Sequence, residues 1–263
     1  MHVNIFDRYL AGQSLIHRLD PRLKLVVSLL FILSNVLLPD GAWLAFLFSL
    51  ALILLIAWAS GIGVAYTLKR SFVALPFFLA AITAIFALPG RTLGVWNLGP
   101  WQLVATDTGL LRFVSVVIRS WLSVQVAIIL IATTQFPDLM HAMRHLHVPA
   151  VLIAVISFMY RYLFVMTNEA MRLMRAREAR SARPAGGGGG GSIVWRAKVA
   201  GNMAGQLFLR SYERSERVYN AMLARGYQGQ LLTLNPHTLQ SRDWLLGFCA
   251  LVILACLQVV GRI

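Results

Sequence analysis

This sequence predicts an all-α integral membrane protein, and three observations lead there. Of its 263 residues, 58% are hydrophobic and 13% are charged, with a mean hydropathy of +0.69. A soluble domain sits nearer half apolar and a quarter charged, so too little polar surface remains here to cover a water-soluble body of this size. Several apolar runs also approach the ~20 residues that a helix needs to cross hydrocarbon. Finally, the net charge of +14 is carried by arginines and lysines that flank those runs. That is the distribution of cytoplasmic membrane loops rather than of a nucleic-acid surface, and no nucleic-acid partner is expected.

Four apolar segments come first, at Leu23–Leu38, Trp43–Leu68, Phe72–Leu88 and Phe113–Thr134; Trp244–Val260 closes the chain. Arg18, Arg22 and Lys24 stand at the entry to the first segment, and Lys69 and Arg70 lie between the second and third. Between the first and second there is only Asp40, and between the third and fourth only Arg91 and Arg112. Positive charge accumulates on the cytoplasmic side, which puts the N-terminus inside and returns the chain there after four spans. Val148–Thr167 is apolar but interrupted by Arg161. Were it to cross, the arginine-rich stretch after it would be exported, so the reading is five spans, with this segment packed at the interface; six spans are the alternative. The expected partition is 1–134 as a membrane region with four transmembrane helices, 135–242 as a cytoplasmic helical region, and 243–263 as the last span.

Inside the cytoplasmic region, "VMTNEAMRLMRAREARSAR" repeats apolar residues at Met166, Ala170, Leu173 and Met174, the spacing of one helical face. Pro184 and the run Gly186–Gly191 end that helix, and polyglycine reads as a flexible tether. A second helix starts near Ile193 and runs to Arg225, with Gly226 as its C-cap. Two helical arms thus each finish in an Ala-Arg motif: Arg225 is the last residue before Gly226 on the second, and Arg177, Arg180 and Arg183 fall three apart near the end of the first. The region holds a single lysine, Lys198, against well over ten arginines. Arginine's planar fork suits a bidentate contact with a carboxylate, which points to an acidic cytoplasmic partner. Contact with anionic lipid, a helix-dipole role, and ion pairs to Glu178, Glu213 or Glu216 are the ordinary alternatives.

Other chemistry is sparse. Cys249 and Cys256 lie seven apart in one apolar segment, too far for a disulfide and at no metal spacing. His141 and His145 share a helical face near His147, a spacing that binds zinc-like ions when a third ligand converges. The topology puts them on the cytoplasmic side beside Arg144 as a membrane-interface cluster, however, and no metal site is assigned. Arg119 and Gln125 inside the fourth segment require an interior environment or a polar partner, and Gly61 and Gly63 are candidate seats for a neighbouring helix. The phosphate-binding pattern G-x-x-x-x-G-K-[ST] is absent, as are G-x-S-x-G, H-E-x-x-H and C-x-x-C, so neither a catalytic role nor a bound cofactor is expected.

Three stretches carry a resemblance: "LIHRLDPRLKLVVSL" at Leu15–Leu29, "AREARS" at Ala176–Ser181, and above all "RSYERSERVYNAMLARGYQG" at Arg210–Gly229. In these the chain resembles the transmembrane T component of energy-coupling factor (ECF) transporters, of the cobalt-type CbiQ branch. The resemblance implies a non-catalytic subunit of a bacterial inner-membrane importer for cobalt, with nickel as a close alternative. It implies as partners two ABC-type ATPase subunits that bind the ATP, an S-type membrane subunit that captures the ion, and a small accessory membrane subunit. The resemblance places the second coupling motif at Ala224-Arg225-Gly226 and the first at Ala179-Arg180-Ser181, with Ala176-Arg177-Glu178 competing, and each motif would dock in a groove of one ATPase. A self-contained permease or a lipid-bound scaffold is the rival reading.

Overall fold

The computed structural model describes residues 9–87, 89–98, 101–180, 192–229 and 241–262. They fall into two compact units, one within Leu146–Leu234 and the other within His2–His145 together with Asn235–Ile263. Ser181, Arg183 and the glycine run 186–191 lie outside the described residues.

The larger unit begins with a short helix α1 (Leu15–Arg18), capped by Ser14, and then α2 (Pro21–Val36). Asp20 opens α2 because its carboxylate accepts the Arg22 amide at 2.8 Å while Pro21 takes the first helical position, where its missing N–H costs nothing. In α3 (Trp43–Ala59), Ala45, Ser49, Ile53 and Ala57 recur every fourth residue and are all buried. That stripe of mostly small side chains lets neighbouring helices approach closely.

The second predicted span ends earlier than the apolar run does. Gly61 and Gly63 have φ of 71° and 85°, a left-handed backbone that favours glycine, so they turn the chain after Ala59 rather than seat a helix. The next crossing-length rod, Val64–Phe86, is assembled from α4 (Val64–Arg70), a 3-10 turn (Ser71–Ala74), α5 (Leu75–Ala81) and α6 (Thr83–Ala87). Pro76 falls in the first turn of α5, where a proline breaks no helical bond, and the tighter turn before it absorbs the change.

An antiparallel hairpin, β1 (Thr92–Leu98) with β2 (Trp101–Thr106), interrupts the otherwise helical chain. The stronger apolar runs on either side mask it in the sequence, although Thr, Val and Trp around Gly99-Pro100 carry a strand-turn-strand signal. Thr106 then caps α7 (Asp107–Thr133) by accepting the Gly109 amide at 3.1 Å, so this helix starts well before the predicted Phe113.

α2, α3, α7 and α11 (Ser241–Val260) enclose a core of Phe31, Phe46, Ile53, Leu122, Leu254 and Leu257. Several polar groups within the bundle are specifically paired. Arg119 forms an ion pair with Asp40 at 2.7 Å and lies over the Phe46 ring, so it has an internal partner. Gln125 is buried and donates to Ser71, whose hydroxyl donates to the Thr67 carbonyl. Gln258 donates to both the carbonyl and the hydroxyl of Ser34 at 2.7 Å.

At the other end of α2, the Lys24 ammonium donates to the carbonyls of His17 and Thr133, each at 3.1 Å. The second of these sits in the last turn of α7, where a cation also suits the helix dipole. α8 (Phe136–His145) packs on α2, and Arg22 Nη2 lies 3.0 Å from His141 Nε2. A guanidinium can only donate, so His141 Nε2 accepts and the imidazole proton resides on Nδ1.

The smaller unit consists of α9 (Ala150–Arg180) and α10 (Ile193–Ala224). The ambiguous apolar segment and the first arm are therefore one continuous helix. By length and composition α9 joins Val64–Phe86, α7 and α11 as helices able to cross a membrane, with Trp43–Ala59 shorter.

Replacing Lys24 by Met keeps the side-chain stem but leaves the His17 and Thr133 carbonyls without their donor. A buried orphaned acceptor costs about 1–3 kcal/mol. The expected result is a lower melting temperature of the detergent-purified chain; an unchanged one would mean that water reaches both carbonyls.

Candidate functional site

The two helices of the smaller unit are long for their burial. α9 has 31 residues and α10 has 32, each about 45 Å at 1.5 Å per residue. Only Ile153 and Ala154 of α9 are buried, and no residue of α10 is. The helices run antiparallel. Arg177, near the end of α9, stands over the ring of Trp195 at the start of α10, with its guanidinium 5.9 Å from the ring centre. Further along, Glu169 receives Arg210. Beyond that, an apolar groove of about 640 Å³ opens between the first half of α9, with Val155, Phe158 and Tyr162, and the second half of α10, with Tyr212, Tyr219 and Met222.

The end of α10 is built with particular care. Gly226 adopts φ of 80° and donates its N–H to the Leu223 carbonyl at 2.9 Å, while Tyr227 donates to Met222 at 3.0 Å. This pair of bonds is a Schellman cap: it satisfies carbonyls that the helix leaves open and turns the backbone sharply away from the axis. Nothing lies within 4 Å of where a Gly226 Cβ would be, so the glycine serves the backbone conformation and not a close contact. Arg225 is the C-cap residue itself, and Ala224, Arg225 and Gly226 are all exposed. An arginine placed there projects from the end of a stiff rod, with an alanine before it and a bare glycine after it.

The first arm ends differently. Arg180 is the last residue of α9, and it and Ala179 are exposed; Ser181 lies outside the described residues. Arg177 is half-buried against Trp195. Of the three arginines that spacing left in competition, Arg183 lies outside the described residues, Arg177 is committed within the unit, and Arg180 faces outward. Because the helices are antiparallel, Arg180 and Arg225 stand at opposite ends of the pair. Sequence reasoning missed Glu169, having named Glu178, Glu213 and Glu216 as the carboxylates for internal pairing. Among the described residues, no group of three His, Cys, Asp or Glu side chains is placed to hold a metal ion.

The sequence has known relatives. The family model for CbiQ, described as a cobalt transport protein, matches residues 12–237. An uncharacterized protein of Methanocaldococcus jannaschii is 30% identical over 262 residues, covering 98% of this chain and 86% of that protein. The energy-coupling factor transporter transmembrane protein EcfT of Lacticaseibacillus paracasei is 27% identical over 271 residues, covering 97% and 98%. EcfT 1 of Listeria monocytogenes is 28% identical over 235 residues, covering 86% and 85%. The chain belongs to the CbiQ family and is a transmembrane T component of an ECF transporter. It is a multi-pass membrane protein and a non-catalytic subunit.

Gly226→Ala forces a side chain into the left-handed region, at a cost of roughly 1–2 kcal/mol. The cap should fray, and amide hydrogen exchange at residues 226 and 227 should quicken about 5- to 30-fold. Unchanged protection would show that the turn is held by something other than its backbone conformation.

Proposed function

We propose that the chain couples ATP hydrolysis to cobalt import, with Arg180 and Arg225 as the two points at which ABC-type ATPase subunits engage it. The observation that carries this reading is the pair of exposed arginines at opposite ends of two long antiparallel helices. Two ATPase subunits need two handles, and each handle must be stiff enough to pass on a displacement without bending. A capped helix does this as a rigid body. Each guanidinium offers a planar fork of donors to a carboxylate in a partner groove, a charge-assisted contact worth about 1.5–3 kcal/mol once water is excluded. The small neighbours Ala179, Ala224 and Gly226 leave room for the groove walls to close on the arginine.

In this reading the membrane unit meets an S-type subunit that captures the ion, with a small accessory membrane subunit completing the importer, and ATP is bound only by the partners. Cobalt is favoured by the name of the matched family, and nickel by the similarity of the two divalent ions. The coupling helices face the cytoplasm, where the ATPases are.

The double variant Arg180→Glu/Arg225→Glu tests the reading in the complete complex. Each reversal replaces an attraction by a repulsion, and every 1.4 kcal/mol is about tenfold in affinity. Recovery of the ATPase subunits with the purified chain should fall by more than an order of magnitude, and radiolabelled Co(II) uptake should be lost while membrane abundance holds. Full uptake by the double variant would remove both arginines from the mechanism and favour lipid contact. Competition of Co(II) uptake by Ni(II) would reassign the ion.

A further inference from the structure

α9 and α10 have little in common to keep them aligned. α10 buries no residue at all, and between the Arg177–Trp195 contact at one end and the apolar groove at the other stands one carboxylate. The Glu169 side chain is 15% exposed; its Oε1 takes Arg210 from α10 and its Oε2 lies 3.4 Å from Arg172, one turn along its own helix. Two arginines thus converge on a single, mostly buried acid. Without it they would face each other as like charges.

We propose that Glu169 is the joint of the two helices: a positioning residue that fixes their crossing and thereby sets where the two arginine-bearing ends stand relative to each other. The consequence for transport rests on the coupling reading above, but the joint itself does not. Arg180 lies eleven residues beyond Glu169 on α9, and Arg225 fifteen residues beyond Arg210 on α10, about 16 Å and 22 Å of helix. At that reach a rotation of about 10° at the crossing displaces a tip by about 3–4 Å, the width of the contact it must make. An ion pair suits this task better than a large packed interface. A partly exposed pair is weak: it is enough to select one crossing among several, yet loose enough to let the helices pivot when force is applied to their ends.

The pairing also predicts an asymmetry. Glu169→Gln leaves Arg172 and Arg210 opposed, so it should disturb the crossing more than Arg210→Gln does. Once Glu169 is gone, removing Arg210 as well should cost nothing more, because the cycle of two interacting residues is non-additive.

The test uses the full-length chain in lipid nanodiscs with Cys249→Ser and Cys256→Ser, carrying spin labels at Met174→Cys and Asn220→Cys, one on each helix. Pulsed dipolar spectroscopy should give one narrow distance distribution in the parent and in Arg210→Lys. The distribution should broaden about twofold in Arg210→Gln and further in Glu169→Gln, with the double variant Glu169→Gln/Arg210→Gln no broader than Glu169→Gln alone. Unchanged helix content by circular dichroism would assign the broadening to the crossing. The same distribution in all variants, or additive broadening in the double, would overturn the joint. Co(II) uptake and ATPase recovery measured on the same variants separate the two proposals. Broadening with uptake insensitive to Arg180→Glu/Arg225→Glu keeps the joint and removes the coupling reading.

Discussion

In hydrocarbon a backbone N–H or C=O has no water to bond, and each one left unpaired costs several kcal/mol. Most of this architecture follows from that constraint. It makes the apolar runs helical, and it confines irregular backbone to places where partners are supplied. The break at Ser60–Gly63 and the 3-10 turn in the middle of Val64–Phe86 both occur beside polar side chains that reach back to the chain. Ser60 donates to the Ala57 carbonyl, Thr67 to Val64 and Ser71 to Thr67. The same constraint gives Lys24 its place. Its ammonium closes the carbonyls of two elements at once, joining the entry of the first long helix to the exit of α7.

Helix type and order were legible because a bilayer makes the sequence signal unusually strong: long apolar runs, charge at their ends, and one glycine after Arg225 where a helix must stop. Boundaries were less so. Trp43–Leu68 reads as one apolar run because leucine and tyrosine continue past the turn; only Gly61 and Gly63 mark it, and glycine in an apolar run can equally be a packing seat. The hairpin at Thr92–Thr106 was passed over because it is short and lies between two much stronger apolar signals. Arg161 interrupts an apolar segment in sequence, yet an exposed arginine can extend its charge to water from a helix that continues unbroken to Arg180.

At the candidate site, residue identity was legible and arrangement was not. The Ala-Arg motifs announce themselves by the contrast of arginine over lysine and by Gly226. That α9 and α10 run antiparallel, and that their arginines therefore stand at opposite ends, depends on pairings across dozens of residues. Trp195 with Arg177, and Glu169 with Arg210, have no local signature. His141 shows the same limit in reverse. It sat in a cluster that invited a metal reading, and its Nε2 faces the Arg22 guanidinium instead, a donor that no periodicity could have identified.

The nearly complete exposure of α10 also bears on how the cell keeps this protein. Phe208, Tyr212 and Tyr219 line one apolar groove and are open to their surroundings, and contiguous apolar surface of that kind marks an interaction face. A copy made in excess of its partners displays that surface with nothing to cover it. Quality-control proteases act on such displays, and a subunit that hides them only on assembly is removed when it is orphaned. The bareness of the helix would then act as a counting device, matching the abundance of this chain to that of the proteins it serves.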